Sequence, residues 1–237
     1  MGIFDRTEAL VGAEGMKKLR ESKVAVFGVG GVGGHVCEAL ARSGVGELHL
    51  VDKDTVFETN INRQIVALRS TVGKYKTEVM AERISDINPE CKVREFRSFY
   101  LPENADEFDL SEYDFVVDAI DTVSAKIELA VRTSRDGIPF IASMGTGNKL
   151  HPEMLEICDL SKTSVCPLAR VMRRELKARG IGHLTVLYSP EAPIPSVITE
   201  NGRHAPASTP FVPGAAGLII AAYVVRSIIG GVSGDMS

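Results

Sequence analysis

The 237-residue sequence has few cysteines, and no two of them form a C-x-x-C pair: they are Cys37, Cys91, Cys158 and Cys166. Structural zinc sites are usually built from such pairs, so this spacing argues against a zinc site. Cysteines scattered this widely in a chain of this size are typical of a reducing compartment. Charged residues also follow the first methionine too closely for a signal peptide. We therefore expect a cytoplasmic location.

The sequence also lacks a strong excess of charge and a long apolar run. The formal net charge is -4, which excludes a protein that is cationic over its whole surface, so a nucleic-acid substrate would require a local basic patch. The longest apolar stretch runs from Phe211 to Val225, contains Pro213 and is too short to span a bilayer. It predicts a buried helix, and we expect no membrane association.

Strand and helix patterns alternate along most of the chain, which predicts an α/β fold with a doubly wound, mostly parallel sheet. We expect one domain over residues 1–237, with a core at about residues 20–150 and a C-terminal strand-helix extension. The predicted strands are Val24–Phe27, Glu47–Val51, Val93–Phe96, Phe115–Ala119, Pro139–Ala142, Met154–Cys158 and Leu184–Leu187. The predicted helices are Val32–Arg42, Lys74–Ile87, Ser124–Arg135 and Pro167–Arg179.

The segment Ser189–Pro213 has no hydrophobic period and is rich in Pro, Ser, Gly and Asn. Loops of this length are usually functional or disordered. We interpret it as a flexible loop that either covers the active site as a flap or is a plain surface excursion.

A glycine-rich turn follows the first predicted strand. Its sequence is G-x-G-G-x-G, with glycines at Gly28, Gly30, Gly31 and Gly33. The first glycine permits a tight turn, the middle ones allow backbone N–H groups to approach phosphate oxygens, and the last permits close helix packing. The turn therefore predicts nucleotide binding, although a tight strand-helix junction without a ligand would use the same residues.

Acidic residues stand at the ends of two later strands. Asp52 lies where a carboxylate accepts hydrogen bonds from ribose hydroxyls, and Asp54 is either a second such group or a surface charge. Asp121 could hold Mg²⁺ against phosphates or cap the next helix. Gly28, Asp52, Asp121 and Ser143 all follow strands, so we expect them to meet in one crevice.

Two cations distinguish ATP from a nicotinamide cofactor. Arg63 and Lys76 follow the acidic pair, and Asn60, Asn62 and Gln64 supply neutral donors around them. Transfer of an adenylyl group to a carboxylate builds charge on the phosphates, which guanidinium and ammonium groups stabilise. The alternative for Lys76 alone is a lysine at the surface of the first helical turn.

Taken together, these motifs resemble the ThiF/MoeB type of ubiquitin-activating-enzyme-like adenylyltransferases. The resemblance implies that Gly31, Asp52, Asn62, Arg63, Lys76 and Asp121 contact ATP or its Mg²⁺. It also implies that Arg6 reaches the phosphates bound by a neighbouring subunit, so we expect a homodimer whose catalytic residues are Arg6, Arg63, Lys76 and Asp121. The family often has Asp-Asn where this chain has Asp121-Thr122. Relatives further suggest a monovalent alkali cation, for which no residue is assigned, and a sulfur-relay protein is a further candidate partner.

Within that family, three stretches resemble the branch that dehydrates threonylcarbamoyladenosine in tRNA: Phe4–Glu8, Val79–Cys91 and Pro167–Ala169. The resemblance implies that the threonyl carboxylate is adenylated with loss of pyrophosphate. The ureido group of the same side chain then attacks the adenylate, a ring closes and AMP leaves. Because the attacking group is already tethered, this step needs no protein nucleophile.

Cations repeat at helical spacing near the C-terminal third, at Arg170, Arg173, Arg174 and Lys177, with Arg179 beyond them. Residues spaced in this way share one helical face, which predicts a contact with the tRNA backbone or a merely solvated face. Cys166 precedes this helix, where a thiolate would be favoured, and is either a covalent nucleophile or a buried bystander.

Two further functions remain open. The same ATP site could adenylate the C-terminal glycine of a ubiquitin-like sulfur carrier, although zinc-binding members of that branch carry C-x-x-C pairs. A nicotinamide-dependent oxidoreductase or a nucleotide-sensing module would also use the glycine-rich turn, but would have no need of both Arg63 and Lys76.

Overall fold

The computed structural model describes residues 2–196, 199–200, 203–204 and 206–230. A seven-stranded sheet runs through the molecule in the order β3-β2-β1-β4-β5-β7-β6. The strands are β1 (Lys23–Phe27), β2 (Glu47–Val51), β3 (Lys92–Phe96), β4 (Phe115–Asp118), β5 (Phe140–Ser143), β6 (Glu156–Asp159) and β7 (Thr185–Tyr188). Neighbouring strands pair in parallel, except that the edge strand β6 is antiparallel to β7. The prediction of a mostly parallel, doubly wound sheet is confirmed.

Helices cover both faces of this sheet. They are α1 (Asp5–Glu21), α2 (Gly33–Ser43), α3 (Lys76–Ile87), α4 (Val123–Asp136), α5 (Pro167–Ala178) and α6 (Phe211–Ile229). One apolar cluster joins α1, α2, α3 and α6 to one face of the central strands, and two others join α4 and α5 to the opposite face. Strands buried on both faces explain the continuous apolar runs that the sequence carries.

The order in which strands are added to the sheet reverses between β1 and β4, which are parallel neighbours at the centre of the sheet. From β1 the chain continues to β2 on one side, whereas β4 leads to β5 on the other. The backbone N–H of Gly28 donates to Val51 O at 2.8 Å, and that of Ala119 donates to Phe27 O at 2.8 Å. The turns that follow β1, β2 and β4 therefore meet at this crevice, which is where ligands bind in such sheets.

Most element boundaries lie within one residue of the sequence prediction, but two elements begin two residues later than predicted, for local reasons. Helix α3 begins at Lys76 instead of Lys74, because Tyr75 is extended and pairs with Thr55. Strand β6 begins after Met154, because the segment Pro152–Met154 forms a 3-10 turn.

Helix α1 was not predicted from the sequence. Gly12 interrupts it with φ +74° and ψ 166°, a conformation that glycine adopts without strain. Beyond this break, Met16 and Leu19 are fully buried in the core. The first turn, which carries Arg6, is exposed.

Helix α6 confirms the predicted apolar helix but extends to Ile229. Among the described residues, α6 is also the one helix that is long and apolar enough to cross a membrane. It packs along α2, and a Cβ on Gly217 would lie 2.5 Å from Val32 O, so glycine is needed for this close approach. Val212, Ile220 and Val224 are fully buried, as expected of a core helix.

The segment predicted to be a flexible loop contains two short strands. Strand β8 (Thr199–Glu200) pairs antiparallel with β9 (Arg203–His204). Residues 197–198, 201–202 and 205 of the predicted flexible loop lie outside the described residues, as do residues 231–237 of the predicted domain.

Candidate functional site

A cavity of about 430 Å³ opens at the carboxyl ends of the central strands. Eight of the predicted ligand-binding residues line it, namely Gly28, Gly30, Gly31, Asp52, Asp54, Arg63, Lys76 and Asp121. Gln64, Thr122 and the segments 98–101, 119–120 and 143–147 also line it, together with Leu168, Pro206, Ser208 and Pro213. The convergence at one crevice, expected from strand ends, is confirmed.

The glycine turn is shaped by two close backbone approaches. Gly28 has φ +90°, and a Cβ there would lie 2.6 Å from Ala119 O. A Cβ on Gly33 would lie 1.8 Å from Gly28 O, so the first residue of α2 must also be glycine. Gly33 lies outside the cavity and acts through helix packing, whereas Gly30 and Gly31 face the cavity.

Asp52 anchors the turn from the end of β2. Its Oδ2 accepts the backbone N–H of Val29 at 2.8 Å, and its Oδ1 accepts that of Asp54 at 2.8 Å. Burial raises the pKa of the Asp52 carboxyl, while Lys76 and the two N–H donors oppose that shift. Each carboxylate oxygen has a second lone pair, so hydrogen bonds from ribose hydroxyls remain possible.

Lys76 is the buried cation of the cavity. Its Nζ lies 2.9 Å from Asp54 Oδ2, and its side chain is 7% exposed whereas that of Asp54 is 44% exposed. The alternative interpretation of Lys76 as a surface lysine is therefore wrong. An ammonium group held beside the glycine turn, with few water contacts, is suited to binding phosphate oxygens.

The polar run after β2 divides into two groups. Asn60 and Asn62 lie outside the cavity: Asn60 Oδ1 accepts the backbone N–H of Phe57 at 3.1 Å, and Asn62 Nδ2 donates to Ser208 O at 3.1 Å. Asn60 thus holds local backbone and Asn62 holds backbone far away in the chain, which their sequence positions do not indicate.

Arg63 and Gln64, by contrast, line the cavity. Arg63 Nη1 donates to Thr59 O at 2.9 Å and to Asn62 Oδ1 at 3.0 Å, which holds the guanidinium at the cavity rim. Gln64 is buried, and its Oε1 has no hydrogen-bond partner in the part of the chain that the structure describes. A free buried acceptor of this kind suits a ligand donor or an ordered water.

The turn after β4 carries two acids with different environments. Asp121 is exposed towards the cavity, and the residue capping α4 is Thr122, so the interpretation of Asp121 as a helix cap is wrong. Asp118 is fully buried and forms an ion pair with Lys126 Nζ at 2.9 Å. Asp118 is therefore a structural acid, and burial raises the pKa of its carboxyl against the effect of Lys126.

Residues after β5 and β7 form one wall of the cavity. One alternative for the segment Ser189–Pro213 placed it over the active site, whereas sequence reasoning missed the side of this wall formed by residues 145–147. The backbone N–H of Asn148 donates to Ala207 O at 2.7 Å, and Ala207 N donates back to Asn148 Oδ1 at 2.7 Å. A Cβ on Gly147 would lie 2.6 Å from Pro206 Cβ, so glycine permits this contact. The Gly-Thr-Gly segment directly after β5 was the signal that could have revealed this wall.

The remaining predicted residues lie away from the cavity. Arg6 is exposed on the first turn of α1. Cys166 is 2% exposed within an apolar cluster, as expected of a buried bystander. Because Arg6 does not line the cavity of its own chain, it could contact a nucleotide only in the cavity of a second copy of the chain.

The predicted basic face on α5 is smaller than its spacing suggests. Arg173 Nη1 donates to Thr163 O at 2.8 Å and also to Thr163 Oγ1, so this arginine turns towards the protein. Glu175 pairs with Arg174 at 2.8 Å and with Arg179 at 3.0 Å. Arg170, Arg174 and Lys177 remain exposed.

Comparison with known proteins agrees with this site. Residues 4–235 match the ThiF family. The chain is 45% identical to a Bacillus subtilis tRNA threonylcarbamoyladenosine dehydratase, over 95% of this chain and 94% of the relative. A crystal structure of the E. coli tRNA N6-threonylcarbamoyladenosine dehydratase in complex with ATP is similar, with a TM-score of 0.88, 35% identity and coverage of 96% of this chain and 93% of the other.

A more distant relative is the adenylyltransferase and sulfurtransferase UBA4 of Vanderwaltozyma polyspora. It is 35% identical over 60% of this chain, and the match covers 32% of the relative. The match to the dehydratase extends over nearly the whole of both chains, so the resemblance to that branch is the stronger of the two. The family match, the sheet and the cavity agree, and the chain belongs to the ThiF family.

Proposed function

We propose that this chain catalyses the ATP-dependent dehydration of threonylcarbamoyladenosine in tRNA through a carboxyl adenylate. The observation that carries the proposal is a buried lysine that faces a glycine-rich turn and Asp52, in a chain 45% identical to a dehydratase over 95% of its length. Asp52 would accept hydrogen bonds from the ribose, and the turn would bring backbone close to the phosphates.

Lys76 and Arg63 would stabilise the charge that develops during adenylation. The carboxylate oxygen attacks the α-phosphorus, and pyrophosphate leaves with the electrons of the broken bond. Both cations lie on the wall that also holds Asp54, so phosphate oxygens would compete with Asp54 for the ammonium group. The carboxylate thus acquires a leaving group, AMP, without forming a covalent intermediate with a protein nucleophile.

Ring closure would follow inside the same cavity. The ureido group attacks the activated carbonyl and loses one proton to solvent, and AMP leaves with the carboxyl oxygen, so that the nucleoside loses the elements of one water in total. Intramolecular attack proceeds at a high effective molarity, and the cavity needs only to hold the reacting groups close and to exclude water. The burial of Cys166 is consistent with a mechanism that has no covalent protein intermediate.

Asp121 would hold Mg²⁺ beside the phosphates. Within the described residues, no three His, Cys, Asp or Glu side chains converge on one point, so the protein offers single carboxylates. That fits Mg²⁺, which is commonly held by one or two carboxylates together with phosphate oxygens and water. A monovalent alkali cation remains a prediction without an assigned residue.

The tRNA backbone would contact the exposed cations of α5. Leu168, in the first turn of α5, lines the cavity, and Arg170, Arg174 and Lys177 follow along the exposed side of the same helix. A cationic strip that starts at the cavity would hold phosphates while the modified nucleoside enters. A sulfur-relay protein partner remains a prediction.

We further propose a homodimer in which Arg6 of one copy completes the site of the other. Arg6 is exposed beside the exposed apolar side chains of Ile3 and Leu10, as expected of a segment that another chain covers. Mixing inactive Arg6→Ala and Lys76→Met proteins should restore turnover, because mixed dimers hold one site with both native residues. A mixture as inactive as its components would contradict the arrangement.

The decisive experiment incubates the protein with ATP, Mg²⁺ and tRNA that carries threonylcarbamoyladenosine. Mass spectrometry of the digested nucleosides should detect the loss of one water and an equal amount of AMP. Reactions without ATP, and with tRNA that lacks the threonylcarbamoyl group, serve as controls. Folded protein that binds this tRNA and ATP but leaves the nucleoside mass unchanged would contradict the proposal.

The sulfur-carrier alternative predicts a different dependence. The match to UBA4 favours an adenylyltransferase of this kind, and it would exchange pyrophosphate with ATP only when a ubiquitin-like carrier is present. A dehydratase needs only modified tRNA. Tight binding of NAD instead of ATP in calorimetry would support the third candidate, a nicotinamide enzyme or nucleotide sensor.

A further inference from the structure

A fully buried ion pair lies beneath the cavity. Asp118, the last residue of β4, and Lys126, on α4, both have side chains that are 0% exposed, and Lys126 Nζ lies 2.9 Å from Asp118 Oδ2. Neither residue is on the surface of the cavity described above. The pair therefore acts on the cavity only through the residues that it holds.

Lys126 and Asp118 each bond backbone that does line the cavity. Lys126 Nζ donates to Ser143 O at 2.8 Å and to Ile120 O at 3.2 Å. Asp118 Oδ1 accepts the backbone N–H of Ile120 at 3.0 Å. The ammonium group thus donates to two backbone carbonyls and forms an ion pair with Asp118, and both backbone polar groups of Ile120 are fixed by the pair.

The segment held in this way is the turn of residues 119–122, which carries Asp121. On its other side the turn touches Gly28, where a Cβ would lie 2.6 Å from Ala119 O. The turn is therefore fixed between the buried pair and the glycine-rich turn. A shift of Ile120 would move the adjacent Asp121 relative to both.

The chemistry of the pair indicates a role beyond stability. Two charges taken out of water lose their hydration, and apolar residues of similar volume often support a fold equally well. Apolar residues cannot fix carbonyl and N–H groups in direction, whereas the pair fixes Ile120 and Ser143 at defined angles and distances. What the pair adds, and apolar residues could not, is directed hydrogen bonding to the backbone of the turn.

We propose that Asp118 and Lys126 are positioning residues that hold Asp121 in its place for catalysis. The inference rests on the proposed function, in which Asp121 holds Mg²⁺ against the phosphates. Displacement of Asp121 should lower the turnover number and raise the Mg²⁺ requirement, while ATP binding through Asp52 and Lys76 stays unchanged. Misplacement of a reacting group by about 1 Å lowers rates by about 10²-fold.

The test uses the full chain with the double substitution Asp118→Asn and Lys126→Met, which removes both charges and nearly keeps the shape. The expected result is a folded protein with ATP affinity close to that of the unsubstituted chain, a kcat lower by about 10²-fold, and a higher half-saturating Mg²⁺ concentration. Lys23→Met is the control, since Lys23 pairs with Glu112 at 3.0 Å at the opposite end of the sheet. It should leave kcat and the Mg²⁺ requirement unchanged.

A second variant, Asp118→Asn with Lys126→Gln, keeps a side-chain donor towards Ser143 O and should recover part of kcat. The inference is overturned if the variant with Asp118→Asn and Lys126→Met has an unchanged kcat and Mg²⁺ requirement. It is equally overturned if the activity of that variant falls only in proportion to its unfolded fraction. It is also overturned if both double variants fail to fold, since the pair is then needed for folding itself. If the unsubstituted protein dehydrates no nucleoside, the proposed function fails instead, and the two failures are thereby distinguished.

Discussion

Replacing Lys76 with Met separates ligand binding from stability at this site. Methionine nearly keeps the length and volume of the lysine stem but removes the ammonium group. That group lies 2.9 Å from Asp54, in a cavity whose wall also includes Asp52. The substituted site would present two carboxylates to a triphosphate with no nearby buried cation to offset them.

The expected effect on ATP is large. Two unit charges 4 Å apart interact by about 4 kcal/mol at an effective dielectric constant near 20, and a hydrogen bond to a charged group contributes about 1.5–3 kcal/mol net. Taking the net value, the affinity for ATP should fall by about 10- to 100-fold, because about 1.4 kcal/mol corresponds to a factor of ten.

The expected effect on stability is small, because Asp54 is 44% exposed and water can replace the lost ion pair. Pairs that are partly exposed contribute about 1 kcal/mol or less. Burying the methionine stem should offset part of that loss. The urea midpoint should therefore change little while ATP binding collapses.

Calorimetric titration with ATP and urea unfolding measure the two effects on the same protein. Lys74→Met is the matched control, because Lys74 is two residues away, is 45% exposed and contacts Glu82 at 3.8 Å outside the cavity. If the Lys76→Met protein binds ATP as tightly as the Lys74→Met protein, the assignment of Lys76 to the phosphates is refuted. If it instead unfolds at much lower urea, Lys76 has a structural role.

The predictions that succeeded from sequence rest on strand ends. Gly28, Asp52 and Asp121 follow three strands, and parallel strands bring their carboxyl ends to one edge of the sheet, so their convergence does not depend on detailed packing. Lys76 was predicted to bind ATP because adenylation builds charge on the phosphates, and its helix was predicted to begin at Lys74. The actual helix begins two residues later because Tyr75 pairs with Thr55, and this brings the ammonium group to Asp54.

What the sequence could not reveal are side-chain partners that lie far away in the chain. Asn62 stays a predicted cofactor ligand, and its side chain donates to the backbone of Ser208, a contact across 146 positions that no local pattern indicates. Arg173 shares the spacing of a basic face, yet it turns to Thr163. A helical period predicts on which side of a helix a residue lies. It does not predict the hydrogen-bond partners that a neighbouring turn places beside that residue.

The unpredicted helix α1 illustrates a related limit. Gly12 and Gly15 both disfavour a helix by propensity, so the local sequence gives a weak signal. The helix is supported by tertiary packing, since Met16 and Leu19 are fully buried against other elements. Its position matters for the proposed homodimer, because its first turn carries Arg6.

Three further substitutions test parts of the site. Cys166→Ser should leave turnover unchanged, since the thiol is buried and ring closure needs no nucleophile; loss of turnover in a folded protein would revive the covalent mechanism. The double variant Arg170→Ala and Arg174→Ala should reduce the slope of log K for tRNA binding against log salt concentration by about one per arginine, while sparing ATP binding. An unchanged slope would exclude this surface as a tRNA contact. Gly33→Ala should be severely destabilising, because its Cβ would lie 1.8 Å from a backbone oxygen of the glycine-rich turn and neither group is a flexible side chain. Overpacking of this kind should lower the free energy of unfolding by about 3 kcal/mol. Urea unfolding would measure this loss, with Gly182→Ala as the control, because the added Cβ there would meet nothing within 4 Å. Equal urea midpoints for the two variants would mean that the turn and α2 separate easily, and the tight strand-helix junction that brings backbone close to phosphates would lose its physical basis.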